Sequence, residues 1–366
     1  MKTGLSGRGA RSVRAAVVLL SLLSLPSLPA AITQAVNAKA DGYVRSAMDK
    51  KNFGFEAQLD LRMNARDGAS EGYLQFPLPQ HTPFAEKIVL RIYAQLAEPG
   101  AAKVLVRSVV ASNWTELGLT WRARPEHKET LGTLNIVGLS GAWYEADVTA
   151  YVKAEAALGR EAATFALVPG EDSKNRIAVR THESAQHKPE LLFSRQPINA
   201  RISFINTNSV PVEGFLADQG EVFGPRTNGL TYGWSADNRN YMRDRRSDPK
   251  SSKLKAPGRA HDFLAYLDHE KMSAPASWEL ALPHGEFRVR LVAGDLQRYD
   301  SIYAFKAENT VVVDGVPDTN KRWLEGAAVV AVQDGRLTVA NAPGASNNKL
   351  CFIEVTEVET LLTQSK

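Results

Sequence analysis

Apolar and polar residues alternate along most of this chain in short segments, whereas the 3.6-residue period of an amphipathic helix is nearly absent. A two-residue period places one face of a strand in a core and the other face in solvent. Gly, Pro, Asn and Asp separate the segments. Many short strands with regular turns are typical of sandwiches or barrels, so the pattern predicts an all-β fold. The clearest predicted strands cover residues 59–63, 88–94, 104–108, 278–282, 287–293 and 336–340.

Two segments predict other local structures. Residues 329–339 alternate around Asp334-Gly335, which tolerates the positive φ of a tight turn, so this segment predicts a β-hairpin. Residues 147–158 are rich in helix formers, and Asp147 or Thr149 is a suitable N-cap. We therefore expect one short helix among the strands.

The first 38 residues have the organisation of a signal peptide. Residues 1–14 hold four basic side chains and no acid, residues 15–25 form an apolar run, and Pro26 ends that run. Small residues stand at cleavage-like spacing around Ala38, which predicts removal of residues 1–38 and secretion to the extracellular space, the periplasm or the cell surface. The run is shorter than the roughly 20 residues that span a bilayer. An uncleaved anchor is the alternative.

Charge gives little support to nucleic-acid binding. The whole chain has 44 basic and 40 acidic side chains and a formal net charge of +4. Four of the basic residues lie in the predicted leader, so the rest of the chain is close to neutral. The basic character of the sequence is therefore largely a property of the leader, and we expect no nucleic-acid partner.

The length predicts two domains. Roughly 325 residues remain after the leader, which is long for a single hydrophobic core. A strand is predicted at 190–193 and another at 201–205, with a short polar stretch between them that lacks a Gly/Ser tract. We place the first domain at 39–194, a short linker at 195–200, the second domain at 201–358 and a tail at 359–366.

The single cysteine, Cys351, excludes an intramolecular disulfide and a multi-thiolate metal site. It lies in the apolar segment 349–355, which predicts a buried strand. An inert core thiol is the favoured interpretation, and a reactive thiol, which needs an exposed position with a lowered pKa, is the alternative.

The first predicted domain contains an ordered series of motifs. They are Asp41-Gly-Tyr-Val-Arg-Ser46, Asn52-Phe-Gly54, Tyr73-Leu-Gln-Phe76, Ile88-Val-Leu-Arg-Ile-Tyr93, Asn113-Trp-Thr-Glu116, Leu119-Thr-Trp121, Trp143-Tyr-Glu-Ala-Asp-Val-Thr149, Phe165-Ala-Leu-Val-Pro169, Arg180-Thr-His-Glu183 and Pro189-Glu-Leu-Leu192. In this series the domain resembles the DNRLRE-type domains, although the six-residue motif that names the family is not reproduced and only Arg180 and Glu183 stand in that region. The resemblance implies a jelly-roll β-sandwich of secreted and surface proteins, some of which are carbohydrate-binding modules of polysaccharide lyases with acidic polymers such as alginate among their ligands.

Several residues of this domain carry candidate chemistry. Trp114 and Trp121 either pack in the core, the favoured interpretation, or stack on a sugar ring. Glu116 either holds a backbone amide or binds an ion. Arg45 and Arg180 are candidate ligands of a uronate carboxylate, because a guanidinium group matches a carboxylate in two-point geometry. The alternative is an ordinary solvated strand face.

The second predicted domain contains its own series of motifs. They are Ile202-Ser-Phe-Ile-Asn206, Tyr232-Gly-Trp234, Ser277-Trp-Glu-Leu-Ala-Leu-Pro283, Gly285-Glu-Phe-Arg-Val-Arg-Leu-Val-Ala-Gly-Asp295 and Asn347-Asn-Lys-Leu-Cys-Phe-Ile-Glu354. In these motifs the domain resembles the malectin-like and galactose-binding-like sandwiches that accompany bacterial polysaccharide-degrading enzymes. The resemblance implies a second jelly-roll sandwich with ligand loops at one end.

Aromatic rings next to Asp and Asn suit a neutral sugar, which needs an apolar surface together with fixed hydrogen-bond partners. Trp234 has an alternative role, in which it fixes its loop to the core. Residues 237–259 hold eight basic and three acidic side chains and fit either an anionic polymer or a solvated loop. The candidate ligand residues of this domain are Tyr232, Trp234, Asp237, Asn238, Arg243, Tyr299, Asp300, Tyr303 and Asn348.

No catalytic signature stands out. The sequence has no His-Glu-x-x-His zinc motif, and its single Gly-x-Ser-x-Gly spacing, Gly68-Ala-Ser-Glu-Gly72, is not assigned to a nucleophile elbow. Its His/Asp neighbours are His261-Asp262 and Asp268-His269, and Glu183 stands beside His182; adjacent residues of a strand point to opposite faces. A carboxylate pair for glycoside hydrolysis can be distant in sequence and stays open. No cofactor is predicted, although scattered carboxylates allow a structural calcium ion without an EF-hand loop.

Three functions are compatible with these observations. The favoured one is a secreted, non-catalytic protein that binds polysaccharide. The second is a structural or adhesive protein of the cell envelope with protein partners there. The third is a polysaccharide lyase or hydrolase with an unrecognised site, or a partner of such an enzyme.

Overall fold

The computed structural model describes residues 30–64, 68–110, 113–171, 173, 175–247, 250 and 253–358. These residues are mostly β-strands with one α-helix, α1 at Thr149–Ala157, which confirms the all-β prediction and the single short helix. The predicted leader up to residue 29 and the tail 359–366 lie outside the described residues.

Eleven strands between residues 32 and 195 form one curled sheet, which we call the first sandwich. Its strand order is β1-β11-β5-β10-β3-β4-β9-β6-β7, with β2 added beside β4 and β8 beside β5. All of its strand pairs are antiparallel. The strands are β1 Ile32–Asn37, β2 Ala40–Arg45, β3 Gln58–Asn64, β4 Gly68–Pro77, β5 Lys87–Leu96, β6 Ala101–Val109, β7 His127–Val137, β8 Ala142–Asp147, β9 Ala162–Pro169, β10 Ile177–Arg180 and β11 Glu190–Arg195.

Thirteen strands between residues 199 and 357 form two facing sheets, which we call the second sandwich. One sheet has the order β13-β12-β24-β17-β16, with β19 beside β24 and β22 beside β19; the other has the order β14-β15-β18-β23-β20-β21. The strands are β12 Asn199–Phe204, β13 Leu216–Asp218, β14 Gly224–Pro225, β15 Thr231–Trp234, β16 Met242–Asp244, β17 Phe263–Tyr266, β18 Trp278–Ala281, β19 Gly285–Gly294, β20 Tyr303–Ala307, β21 Thr310–Gly315, β22 Trp323–Val332, β23 Arg336–Asn341 and β24 Lys349–Glu357.

Each sandwich has its own hydrophobic core. Alternate residues of the strands point inward, as the two-residue period predicted. The predicted strands coincide with observed strands, except that Leu282 follows the end of β18 and Ile205 follows the end of β12. The first core contains buried side chains such as Leu61 and Phe165, and the second contains Trp234, Trp278 and Phe305. Burial of these apolar side chains is the main favourable contribution to folding.

The predicted hairpin at residues 329–339 is wrong. Strand β22 pairs with β19 in one sheet of the second sandwich, whereas β23 pairs with β18 and β20 in the other. The turn itself forms as expected, because Gly335 has a φ of 87° and the Asp334 carboxylate accepts the Arg336 N–H at 3.0 Å. The turn therefore leads the chain from one sheet to the facing sheet.

The strand boundaries differ from the predicted domain limits at two places. Strand β1 begins at Ile32 and pairs with β11 over its whole length, although Ile32 lies inside the predicted leader. Strand β12 begins at Asn199, so only residues 196–198 separate the last strand of the first sandwich from the first strand of the second. The connection is thus shorter than the predicted linker.

Cys351 lies fully buried on β24, which confirms the predicted buried strand. Burial raises the pKa of its thiol well above the ordinary value, because desolvation disfavours the thiolate. Reactivity requires the thiolate, so this thiol fits an inert core position. None of the described helices is long and apolar enough to cross a membrane.

Candidate functional site

The predicted ligand aromatics of the second sandwich lie in its core. Tyr232, Trp234 and Tyr303 are almost completely buried. The Trp234 indole N–H donates to Oδ1 of buried Asp218 at 2.8 Å, and the Trp278 indole N–H donates to Oδ2 at 2.8 Å. These rings therefore offer no exposed face to a sugar. The position of Trp234 fits its alternative role, in which it fixes its segment of the chain to the core.

The predicted polar ligands divide into buried and exposed groups. Asn238 and Asn348 are buried and donate to backbone carbonyls, Asn238 to Tyr266 at 3.1 Å and Asn348 to Ala304 at 2.8 Å. Asp237 is exposed and forms an ion pair with neighbouring Arg239 at 2.7 Å. Tyr299 is exposed as well, and the Arg322 guanidinium lies 5.2 Å from its ring.

A polar groove of about 780 Å³ brings two of the predicted ligands together, Arg243 and Asp300. It is larger than the cavity of about 370 Å³ beside Phe215 in the same sandwich. Tyr266 and His269 contribute rings that meet edge to face, with centroids 4.7 Å apart. The lining residues are Arg243, Arg245, Tyr266, Asp268, His269, Glu270, Arg298, Asp300, Ser346 and Asn347.

A buried charge network lies beside this groove. Arg245 donates to both oxygens of buried Asp295, at 2.8 and 2.5 Å. Lys349 is fully buried, and its Nζ lies 2.6 Å from Asp300 Oδ1 and 3.5 Å from Asp295 Oδ2. Partial burial by itself would raise the pKa of Asp300, but the hydrogen bond and charge of Lys349 lower it. Asp300 therefore presents an ionised carboxylate to the groove, which accepts hydrogen bonds.

Part of the positive charge of the basic segment 237–259 is neutralised within the second sandwich. Four of its arginines pair with carboxylates: Arg239 with Asp237, Arg245 with Asp295, Arg246 with Asp262, and Arg259 with Asp244 and Asp262. Asp248, one of its three acids, lies outside the described residues. At least four of the eight basic side chains of this segment therefore form ion pairs.

In the first sandwich, three arginines converge on the carboxylate of Asp60. The Oδ2 atom of Asp60 accepts from Arg45 at 2.7 Å and from Arg62, and its Oδ1 atom accepts from Arg176 at 3.0 Å. Three guanidinium groups thus share one carboxylate. The Arg176 side chain is 54% exposed, whereas the Asp60 side chain is 13% exposed. We call these four residues the arginine cluster.

A shallow pocket of about 290 Å³ opens beside the arginine cluster. Tyr43 forms part of its wall and stacks on Phe53, with ring centroids 4.5 Å apart and an interplanar angle of 22°. Cations lie over this aromatic pair, with Lys51 Nζ 4.7 Å from the Phe53 centroid. The lining residues are Tyr43, Glu56, Ala57, Gln58, Leu59, Asp60, Arg176 and Ala178.

The structure places both predicted arginines of the first sandwich near this pocket. Arg45 belongs to the cluster, and Arg180 on β10 pairs in register with Gln58 on β3, two residues from Asp60. The side chain of Arg180 has no ion pair among the described residues. The sequence analysis missed Asp60 and Arg176, although the placement of Asp60 between Leu59 and Leu61 marks it as an outward-facing residue.

An aromatic group adjoins Arg180 on the same sheet. Tyr93 shares a small pocket with Arg180 and stacks on His187, with ring centroids 4.0 Å apart and an interplanar angle of 11°. Trp143 meets Tyr93 edge to face, and the Arg91 guanidinium lies 4.2 Å from the Trp143 centroid. His187 is exposed and has a φ of 60°, a conformation that non-glycine residues seldom adopt. The sequence analysis did not identify this group.

The two tryptophans considered as ligands in the first sandwich are half-buried. Trp114 packs against a small apolar cluster, and its indole N–H lies 3.3 Å from Thr164 Oγ1. Trp121 packs there too, with the Arg124 guanidinium 3.8 Å from its ring. The Glu116 carboxylate accepts the Asp41 N–H at 2.9 Å, as one of its two predicted roles requires.

Residues 32–195, the whole first sandwich, match carbohydrate-binding module family 96. The match supports carbohydrate binding by this part of the chain. The matched segment contains the arginine cluster, Arg180 and the aromatic group formed by Tyr93, Trp143 and His187. A comparison with curated proteins found no match.

Similar solved structures resemble the chain only weakly. Protein YXIM_BACsu from Bacillus subtilis is 18% identical with a TM-score of 0.28, over 44% of this chain and 40% of that protein. Beta-glucuronidase from Bacteroides uniformis is 11% identical with a TM-score of 0.28, over 75% and 27%. A chain in the complex of plant peptide RALF23 with FER and LLG2 is 9% identical with a TM-score of 0.28, over 89% and 96%. This chain thus spans less than half of each of the first two.

Proposed function

We propose that this protein is a secreted, non-catalytic binder of acidic polysaccharide and that the first sandwich holds the sugar at the arginine cluster. The observation that carries the proposal is the sharing of Asp60 by Arg45, Arg62 and Arg176, inside the segment that matches a carbohydrate-binding family. A sugar carboxylate can reach the exposed guanidinium group of Arg176 in this cluster, and guanidinium groups bind carboxylates with two parallel hydrogen bonds.

The neighbouring residues extend this site into a surface suited to a polymer. Arg180 offers a further guanidinium group next to the pocket, and Tyr93 and His187 add stacked rings beside it. Sugar recognition needs apolar ring surface together with polar groups that fix orientation. A chain of uronic acid residues supplies both a carboxylate for the arginines and a carbohydrate face for the rings.

The proposal also includes export from the cell, the family of each sandwich and the absence of catalysis. The leader-like residues 1–38 support export, and the motif series supports a DNRLRE-type first sandwich and a malectin-like second one. A glycoside hydrolase needs a protonated carboxylic acid. Lys349 holds Asp300 in the ionised form, so this carboxyl group of the larger groove is unsuited to that role.

The test is retention of the purified protein on immobilised polyuronate and on a neutral polysaccharide, at low and high salt. We expect salt-sensitive retention on the polyuronate only, because exposed charge interactions are screened by salt. Arg176→Ala should weaken binding about tenfold, since a hydrogen bond to a charged group contributes roughly 1.5–3 kcal/mol. The matched control is Arg122→Ala, which removes an exposed arginine paired with Asp49 elsewhere on the same sandwich.

Other results would contradict specific parts of the proposal. Equal retention on neutral and acidic polymers would exclude selection by charge. Equal losses in Arg176→Ala and Arg122→Ala would exclude the arginine cluster as the site. Retention on no polymer would favour the structural or adhesive role in the cell envelope, and release of sugar products would favour a lyase or hydrolase.

The groove of the second sandwich is a second candidate sugar site. Its volume of about 780 Å³ and its combination of guanidinium groups with Tyr266 and His269 favour it. Arg298→Ala removes an exposed cation from its rim. A loss of polysaccharide affinity in Arg298→Ala, with Arg176→Ala unaffected, would move the binding site to this groove.

A further inference from the structure

Four side chains with metal-binding atoms meet at one end of the first sandwich. Asp41 lies on β2, Glu116 begins the 3-10 turn Glu116–Gly118, and His182 and Glu183 lie in the turn that follows β10. One nitrogen or oxygen from each of the four lies within 4.8 Å of the others. The cluster thus combines three separate parts of the chain.

The spacing within this cluster fits a small tetrahedral cation. His182 Nδ1 lies 3.2 Å from Asp41 Oδ2 and 3.4 Å from Glu116 Oε1. Ligands around tetrahedral Zn²⁺, with bonds near 2.0–2.1 Å, are separated by about 3.4 Å. Glu183 Oε1 lies 3.2 Å from the other ring nitrogen, Nε2. A carboxylate in that position orients a metal-binding imidazole and leaves the opposite nitrogen free to coordinate.

Charge and burial in the cluster call for a cation. The Asp41 side chain is fully buried, and neither its Oδ1 nor His182 Nδ1 has a hydrogen-bond partner. Within the described part of the chain, no Lys or Arg lies within 4.0 Å of the carboxylates of Asp41, Glu116 or Glu183.

The surrounding backbone holds these groups in place. Oδ2 of Asp41 accepts the His182 N–H at 2.7 Å, and Glu116 Oε1 accepts the Asp41 N–H at 2.9 Å. The hydroxyls of Thr181 and Ser184 donate to the carbonyls of residues 56 and 57, at 2.8 and 2.7 Å. The site is therefore already assembled, which favours binding because little has to be ordered.

We propose that Asp41, Glu116 and His182 bind a divalent transition metal of the zinc class, with Glu183 orienting the imidazole. The donor set is one nitrogen and two oxygens. Imidazole suits zinc and related ions, whereas calcium takes oxygen ligands. The three ligands come from β2, from the turn at Glu116 and from the turn that follows β10. A bound ion would therefore connect these three parts of the chain.

The experiment uses tag-free protein stripped with a chelator. Zinc chloride is titrated by calorimetry and in competition with a chromophoric chelator, and thermal unfolding is followed with and without the metal. We expect one zinc ion per chain and a rise in the unfolding temperature, because a ligand that binds the native state stabilises it. Calcium at the same concentration should have a much smaller effect. No polysaccharide is present, so the result is independent of the proposed sugar binding.

Two variants and one matched control locate the site. His182→Ala and Glu116→Gln should each weaken zinc binding at least about tenfold; the glutamine keeps an oxygen that can accept the Asp41 N–H. His127→Ala is the control, because His127 Nε2 lies 3.6 Å from a single carboxylate, that of Glu71. It should bind zinc like the unaltered protein.

Three results would overturn the proposal. They are the absence of a stoichiometric zinc signal in the unaltered protein, equal zinc affinity in His182→Ala and His127→Ala, and tighter binding of calcium than of zinc. The unaltered protein tests the site even if a variant fails to fold, because its titration and its thermal shift need no substitution.

Discussion

Arg195 and Glu357 form a two-point ion pair, in which Nη1 of Arg195 donates to Oε2 of Glu357 and Nη2 donates to Oε1, both at 2.6 Å. Arg195 ends β11 in the first sandwich, and Glu357 ends β24 in the second. The two side chains are only 12% and 10% exposed. Glu357 Oε2 also accepts the N–H of Ile198, the residue before β12, at 3.0 Å. The pair therefore fixes the short connection between the sandwiches.

Substitution of Glu357 by Gln should destabilise the protein by about 3 kcal/mol, because it leaves the buried Arg195 charge without its partner. Denaturant unfolding measures the change. Glu279→Gln is the control, since it removes an ion pair with Arg336, whose side chain is 50% exposed, and should cost less than about 1 kcal/mol. Equal costs in the two variants would mean that the Arg195–Glu357 pair adds nothing specific.

The contribution of Glu357 should disappear in acid. Burial by itself would raise the pKa of Glu357, but hydrogen bonds from Arg195 and Ile198 lower it below 4.5. A lowered folded-state pKa stabilises the protein at a pH above the unfolded value, and this stability is lost as the pH falls through the folded value. The difference in unfolding free energy between the unaltered protein and Glu357→Gln should therefore be full at pH 7 and shrink below pH 4.5. A difference that stays constant down to pH 2 would contradict this assignment.

Trp234→Phe should lower stability without affecting sugar binding. The substitution removes a buried hydrogen bond to Asp218 and part of a core ring, at a cost of about 2 kcal/mol. Chemical unfolding and polysaccharide retention are measured together. Tyr299→Ala, at an exposed ring, is the control and should change stability by less than about 0.5 kcal/mol. Lost retention with unchanged stability in Trp234→Phe would restore Trp234 as a sugar ligand.

If the leader is removed as proposed, cleavage should fall before Ile32, near Ala30 and Ala31, and not after Ala38. Strand β1 pairs with β11 from Ile32 to Asn37, and removal of residues 1–38 would expose the edge of β11. N-terminal sequencing or the intact mass of the exported protein distinguishes the two sites. A mature chain beginning at Lys39 would show that the sandwich is complete without β1.

Local sequence was sufficient for the strands but not for their partners. The alternation in segments such as 287–293 reflects the fixed two-residue period of a strand, which any single strand displays. The Asp334-Gly335 turn shows the limit, because its residues permit a reversal of the chain but do not specify whether β23 returns to the same sheet. That choice depends on pairing with β18 and β20, which are distant in sequence.

The candidate sites show the same division. Arg45 and Arg180 were predicted from the sequence as ligands of a uronate carboxylate, whereas the sharing of Asp60 by Arg45, Arg62 and Arg176 required β2, β3 and the start of β10 to meet. A tryptophan such as Trp234 looks the same in a sequence whether it faces a sugar or a core. Only its burial, with a hydrogen bond to Asp218, places it in the core. The sequence by itself determined the all-β class, the single helix and the buried cysteine, because these follow from local periodicity and polarity. Tertiary structure alone decided which charges meet, since ion pairs and metal ligands form between residues that the chain brings together from far apart.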